Sequence, residues 1–67
     1  MIEIRLNGKQ KGIPADSTIV NLLESLELQG QRLAVEVNQQ IVPRSEHKAR
    51  KLQLNDQVEI VRAIGGG

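Results

Sequence analysis

The chain has 67 residues, a length that accommodates one small domain. Hydrophobic residues make up 39% of the sequence and none is aromatic, so the core must be aliphatic, with little room for a deep ligand pocket. The absence of cysteine excludes disulfides and thiol chemistry and favours a reducing compartment, the cytoplasm. The net charge of +1 and the lack of a long apolar run argue against nucleic acid and a membrane as partners.

The first 13 residues are predicted to form a β-hairpin. Apolar and charged residues alternate over residues 1–6, which is typical of a half-buried strand. Asn7-Gly8 follows, and this dipeptide favours a type I′ turn because both central residues need a positive φ. Residues 9–13 are polar and include Gly12, so the returning strand is predicted to lie at an edge of the sheet.

A helix is predicted from Thr18 to Leu28. Either Asp16 or Ser17 is expected to cap its first turn, because these side chains accept hydrogen bonds from the unpaired amides there. Gly30 is expected near its C-terminal cap. One face carries an apolar stripe with helical spacing, formed by Ile19, Leu22, Leu23 and Leu26.

The remaining residues alternate between extended segments and turns. We predict an apolar strand near the sheet centre at 33–37, a turn at 38–40, a short extended piece at 41–42, an irregular helical turn at 45–50, a turn at 53–57 and a last strand at 58–64. A helix with a single apolar stripe needs one sheet face to cover it. The prediction is therefore an α+β, β-grasp (ubiquitin-like) fold, in which one main helix packs across a mixed sheet of four to five strands. The domain is placed at residues 1–64 and a flexible glycine tail at 65–67.

The sequence offers no constellation of catalytic or metal-ligating residues. His47 is the only histidine, and a surface position is predicted for it because no suitably spaced ligands accompany it. Ser45 and Lys48 have a Ser-x-x-Lys spacing, but a helix-capping role for the serine is the better interpretation. We therefore predict no metal site and no independent enzymatic activity.

Three consecutive glycines, Gly65-Gly66-Gly67, directly follow the last predicted strand. Without a Cβ atom such a segment can lie flat in a narrow channel of a partner enzyme. The carboxylate of Gly67 is then the chemically interesting group. A carboxylate is a poor electrophile, so a partner must activate it, most simply as an acyl-adenylate formed from ATP.

The chain resembles a known family over its whole length, and two further segments provide the motifs for this resemblance. Residues 38–44 (NQQIVPR) resemble an Asn-x-x-(x)-Val-Pro-Arg segment, and residues 54–61 (LNDQVEIV) resemble an Asp-Gly-Asp turn with its closing strand, although Asn55-Asp56 replaces Asp-Gly-Asp here. Together with the length and the glycine end, they resemble the ThiS family, the sulfur carrier proteins of thiamine biosynthesis. The resemblance implies a β-grasp fold.

The resemblance also implies a mechanism and partners. A ThiF-type adenylating enzyme would use ATP and Mg²⁺ to activate Gly67, while Gly65 and Gly66 thread into the enzyme. Sulfur from cysteine, delivered by a cysteine desulfurase, would then give a thiocarboxylate for thiazole synthase. The chain itself would bind no cofactor.

Docking is predicted to use apolar residues beside the glycines, Val61, Ala63 and Ile64, with Arg44 on a charged rim, although Arg44 is also interpretable as an ordinary surface charge. Three alternatives stay open. The small subunit of molybdopterin synthase (MoaD-like) uses the same chemistry, but often has prolines where this chain has residues 62–64. The others are a ubiquitin-like modifier and a non-carrier β-grasp interaction module.

Overall fold

The structure, a computed structural model, describes residues 1–62. These residues form five strands, one α-helix and one short 3₁₀ helix, in the order β1 (Ile2–Leu6), β2 (Lys9–Ile13), α1 (Ile19–Ser25), β3 (Leu33–Val37), β4 (Gln40–Ile41), the 3₁₀ helix (Arg44–Glu46) and β5 (Gln57–Arg62). The strands form one mixed sheet in the order β2-β1-β5-β3-β4. This confirms the predicted α+β fold. The proposed boundary between domain and tail lies outside the described residues.

The first hairpin is as predicted. β1 and β2 pair in antiparallel register from Ile2↔Ile13 to Leu6↔Lys9, and β2 lies at the sheet edge. Asn7 and Gly8 both have positive φ, at 50° and 83°, as a type I′ turn requires.

The centre of the sheet is β5, which pairs parallel with β1 and antiparallel with β3. The strand predicted near the centre, β3, lies between β5 and the two-residue strand β4. Gln40, predicted as part of a turn, begins β4, because Asn38 and Gln39 complete the reversal with φ values of 53° and 70°.

The core lies between α1 and one face of the sheet and is aliphatic throughout. Burial alternates along the strands, so one face of the sheet packs on α1 while the other carries exposed residues. The most deeply buried side chains come from both layers: Ile4, Ile19, Leu22, Val35, Val37 and Val58. Each contributes roughly 1.5–3 kcal/mol through removal of apolar area from water.

The start of α1 corrects the predicted cap. Thr18 is the N-cap: its Oγ1 accepts the N–H of Asn21 at 3.1 Å, and the Asn21 Oδ1 accepts the N–H of Thr18 at 2.9 Å. Asp16 instead lies in a turn with φ 66°, and the Ser17 hydroxyl donates to the carbonyl of Pro14 at 2.6 Å. Both predicted caps were wrong, because Asp16 and Ser17 belong to the turn that follows Pro14 and precede the first turn of the helix.

The end of α1 also differs from the prediction. The N–H of Leu28 donates to the carbonyl of Leu23 at 2.8 Å, and the N–H of Glu27 donates to that of Glu24 at 3.0 Å. Glu27 has φ 59°, so these bonds form a Schellman motif with a glutamate in its left-handed position. The helix therefore stops before Leu28, and Gly30, with φ 82°, belongs to a later turn.

The segment after β4 returns to the α1 side of the sheet and buries His47. This side chain is only 5% exposed, and its Nε2 lies 3.0 Å from the carbonyl oxygen of Val42. The carbonyl of His47 accepts the N–H of Val20 in α1 at 3.2 Å. The predicted surface position was wrong, because the histidine fills the junction between α1 and the loop. The 3₁₀ helix and the turns after it fall close to the predicted helical turn at 45–50.

Candidate functional site

The described part of the chain ends at the C-terminal end of β5, from which residues 63–67 continue. β1 pairs with β5 at Arg5↔Gln57 and Leu6↔Val58, and then β1 ends. β5 continues to Arg62 with β3 as its strand partner. Hydrogen-bonding groups alternate sides along a strand. Those of Arg62 therefore face the side where β1 has ended, as do those of Val58.

Beyond the end of β1, Asn7 provides the hydrogen bonds to this side of β5. Its Oδ1 accepts the N–H of Ile60 at 2.8 Å, and its Nδ2 donates to the carbonyl of Ile60 at 3.3 Å. Its own N–H donates to the carbonyl of Val58 at 2.9 Å. The amide side chain thus replaces a strand residue and fixes the end of β5. Sequence reasoning assigned Asn7 to the turn alone. The one available signal was the choice of Asn, since glycine would satisfy the turn equally well.

A small pocket of about 190 Å³ lies beside this end of β5. Asn7 and Arg62 line it, together with aliphatic residues from both layers: Leu6, Leu26, Leu28, Leu33 and Ile60. This lining is suited to an aliphatic side chain of a partner that approaches the end of β5.

Val61 lies on the face of the sheet that points away from α1. Side chains alternate between the two faces along a strand, and the preceding residue, Ile60, is buried on the α1 side. It is 55% exposed and stands across from Ala34 of β3. Ile41, on β4, is 69% exposed and pairs with Glu36. We call the exposed sheet face that carries Val61, Ala34, Glu36, Glu59 and Ile41 the open face. Val61 is therefore accessible from solvent, and its role in docking stays a prediction.

Arg44 is exposed but does not share a surface with Val61. It lines a groove of about 410 Å³ between α1 and the 3₁₀ helix, together with Val20 and Leu23 of the helix. Ser45 and Lys48 line the same groove. The structure thus separates two residues that were predicted to act together, because the chain after β4 crosses to the α1 side.

The other predicted site residues, Ala63, Ile64, Gly65, Gly66 and Gly67, lie outside the described residues. Within residues 1–62 there is no group of three acidic, histidine or cysteine residues arranged to hold a metal ion. None of the helices in the described range is long and apolar enough to cross a membrane.

The two segments that carry the family resemblance meet in space through Asp56. This carboxylate is 8% exposed; its Oδ1 accepts a hydrogen bond from Asn38 Nδ2 at 3.0 Å and its Oδ2 accepts the N–H of Gln53 at 2.8 Å. The Asn38 Oδ1 accepts the N–H of Gln57 at 3.0 Å. Asn55 has φ 69°, the left-handed conformation that glycine favours and asparagine tolerates. Asn55 can therefore occupy the left-handed position in place of the glycine of Asp-Gly-Asp. The hydrogen bonds of Asn38 and Asp56 give these two residues a structural role.

Comparison with known proteins agrees with this geometry. The sequence profile of the ThiS family matches residues 4–67. This chain belongs to the ThiS family. The sulfur carrier protein ThiS of Escherichia coli is 33% identical over 66 residues, which covers 98% of this chain and 100% of that protein. The crystal structure of a thiamine biosynthesis protein (ThiS) from Geobacter metallireducens has a TM-score of 0.86 and 26% identity, covering 98% of this chain and 100% of that one.

A second kind of ThiS relative is much longer. A thiazole synthase from Magnetococcus marinus is 39% identical over 66 residues, or 98% of this chain. This chain spans 20% of the length of that enzyme. In that protein a ThiS-like segment and the remainder of a thiazole synthase occur in one polypeptide.

Proposed function

We propose that the carboxylate of Gly67 is the sulfur-carrying group of this domain, and that β5 presents it to partner enzymes. As a member of the ThiS family, the chain is a sulfur carrier protein of thiamine biosynthesis. The observation that carries the proposal is the family match through residue 67, combined with the position of β5, which leads directly into residues 63–67. Gly65 and Gly66 give the segment a bare backbone that fits a narrow channel.

The proposed chemistry has three steps. A carboxylate oxygen of Gly67 attacks the α-phosphorus of ATP, and pyrophosphate leaves to give an acyl-adenylate. A persulfide, derived from cysteine by a desulfurase, attacks the carbonyl carbon, and the C–O bond to AMP breaks to give an acyl disulfide. A thiol then cleaves the S–S bond, so the thiol is oxidised to a disulfide and the thiocarboxylate of Gly67 is released.

The chain acts in this scheme as a protein co-substrate. The adenylating partner, of the ThiF type, supplies the ATP site and Mg²⁺, and no cofactor is assigned to the chain itself. Thiazole synthase is the proposed acceptor of the sulfur, and the Magnetococcus marinus relative supports this assignment because it joins both parts in one chain. We place the reactions in the cytoplasm, because a chain without cysteine forms no disulfides and does not depend on an oxidising compartment.

The proposed docking surface for the activating enzyme surrounds the end of β5. Val61 of the open face, with Ala63 and Ile64, would contact the enzyme, while the pocket beside Arg62 would receive an aliphatic side chain. The backbone of Arg62 faces the side that β1 has left, so an extended segment of the enzyme could add to the sheet there.

The test is a mass measurement after incubation with a ThiF-type enzyme, ATP and a sulfur source. We expect ATP-dependent exchange of one oxygen for sulfur, localised by fragmentation to Gly67. Localisation is needed because oxidation of Met1 gives nearly the same mass increase. A variant lacking Gly66 and Gly67 is the control and should keep its fold but gain no sulfur. Sulfur transfer to that variant, or no transfer to the full chain by an enzyme that activates its own carrier, would overturn the proposal.

A further inference from the structure

The groove between α1 and the 3₁₀ helix combines an aliphatic floor with a positive rim. Its volume is about 410 Å³, within the range of sites that hold ligands or partner side chains. Val20, Leu23, Leu28 and Leu33 supply the aliphatic surface. Arg44 and Lys48 supply the charge, and both side chains are exposed.

No acidic residue from the described range 1–62 lines this groove. The rest of the lining consists of the uncharged residues Gln29, Gly30, Gln31 and Ser45, together with the buried His47. The groove therefore presents two cations over an apolar surface without a carboxylate among its own walls. A complementary occupant would carry negative charge beside an aliphatic side chain.

The walls of the groove are held by backbone hydrogen bonds from both sides. The N–H of Val20 donates to the carbonyl of His47 at 3.2 Å, which ties α1 to the loop. His47 is fixed in turn by its contact of 3.0 Å with the carbonyl oxygen of Val42. On the other wall, the N–H of Leu28 donates to the carbonyl of Leu23 at 2.8 Å. Binding would therefore need little ordering of the groove, which favours affinity.

The groove is also continuous with the end of the domain from which residues 63–67 continue. Leu28 and Leu33 line both the groove and the pocket beside Arg62. Leu33 is moreover the strand partner of Arg62. An enzyme that encloses residues 63–67 therefore lies next to the groove and can extend over it.

We propose that this groove is a docking site for a surface segment of thiazole synthase, in which an aliphatic side chain is flanked by Asp or Glu. The aliphatic side chain packs on Val20 and Leu23, and the carboxylates pair with Arg44 and Lys48. This inference rests on the proposed function, which names thiazole synthase as the acceptor. It assigns to Arg44 a partner contact that is separate from the open face.

The test compares two variants with the same change in charge. Arg44→Gln/Lys48→Gln removes the rim of the groove, whereas Lys9→Gln/Lys51→Gln removes two exposed cations that do not line this groove. Binding of each full-length variant to purified thiazole synthase is measured by biolayer interferometry at several salt concentrations. We expect the groove variant to bind about tenfold more weakly and with a smaller salt dependence, and the control to bind within about twofold of the parent chain.

A third variant, Val20→Thr, tests the aliphatic contact without changing charge and should weaken binding several-fold. Amide spectra of all three variants check that the fold is intact. Equal losses in the two charge variants would mean general electrostatic steering and would overturn the groove assignment, as would unchanged binding of the groove variant. If the parent chain does not bind thiazole synthase at all, the proposed acceptor fails, a result distinct from failure of the groove alone.

Discussion

The side-chain amide of Asn7 forms hydrogen bonds with both the N–H and the carbonyl of Ile60, which lies 53 positions further along the sequence. The same residue turns the first hairpin with φ 50°. One asparagine therefore reverses the chain at the end of β1 and extends the sheet along β5. Residues 63–67 continue from the end of β5, so we predict that Asn7 helps to position the proposed reactive segment by holding β5.

Replacing Asn7 with glycine separates these two roles. Glycine keeps the positive φ of the turn, but the two hydrogen bonds to Ile60 are lost. We expect the free energy of unfolding to fall by about 1–2 kcal/mol. Hydrogen exchange measured by NMR should show faster exchange for the amide of Ile60 than in the parent chain, with a smaller change for the amide of Val42, which donates to the carbonyl of Val35 at 2.9 Å on the side of β3 away from β5. Unaltered exchange at Ile60 would contradict a positioning role for Asn7.

The elements of the fold could be predicted because their signals are local. The alternation around Ile4 and the spacing of Ile19, Leu22 and Leu23 each indicate which face is buried, and the structure places these residues in the core. The type I′ turn at Asn7 could likewise be predicted, since it depends on two adjacent residues.

What could not be predicted depends on contacts between distant segments. His47 is buried because the loop after β4 returns against α1, and no pattern around residue 47 encodes that path. The same path moves Arg44 to the α1 side and away from Val61. The cap at Thr18 could have been favoured from the sequence, because Asn21 stands at the third helical position and can return the hydrogen bond.

The helix end offers a stabilising substitution. Glu27 has φ 59° in the left-handed position of the Schellman motif, where a side chain costs conformational energy and glycine does not. Glu27→Gly should raise the free energy of unfolding by about 0.5–1 kcal/mol, measured by urea denaturation.

The matched control is Glu24→Gly, an exposed residue inside α1. There glycine should lower the stability by about 1 kcal/mol, because it loses more backbone freedom on folding than other residues. If both substitutions destabilise the protein to the same extent, the left-handed strain at Glu27 is not a significant cost.

Asp56 provides a test of the link between the two family segments. Its two carboxylate oxygens accept hydrogen bonds from Asn38 and Gln53, and an asparagine at this position can offer only one acceptor oxygen. Asp56→Asn should lower the free energy of unfolding by about 2 kcal/mol, because a hydrogen bond to a charged, buried group is lost. Asp16→Asn is the control: Asp16 is exposed with φ 66°, which asparagine tolerates, so the change should stay within about 0.5 kcal/mol. Equal stability of both variants would mean that the Asp56 contacts contribute little.

Val61 tests whether the open face contacts the activating enzyme. Its side chain is 55% exposed, so Val61→Lys should leave the fold intact, and the neighbouring Glu59 on the same face can accommodate a positive charge. We expect the KM for the carrier in ATP-dependent activation by a ThiF-type enzyme to rise about tenfold, because a charge replaces an apolar contact at the centre of the interface. Ile41→Lys is the control, since Ile41 is exposed on the same face but lies on the outer strand β4. Its effect should be smaller than that of Val61→Lys, because β4 lies two strands from β5. An unchanged KM for Val61→Lys would remove the open face from the docking surface and leave the pocket beside Arg62 as the contact next to residues 63–67.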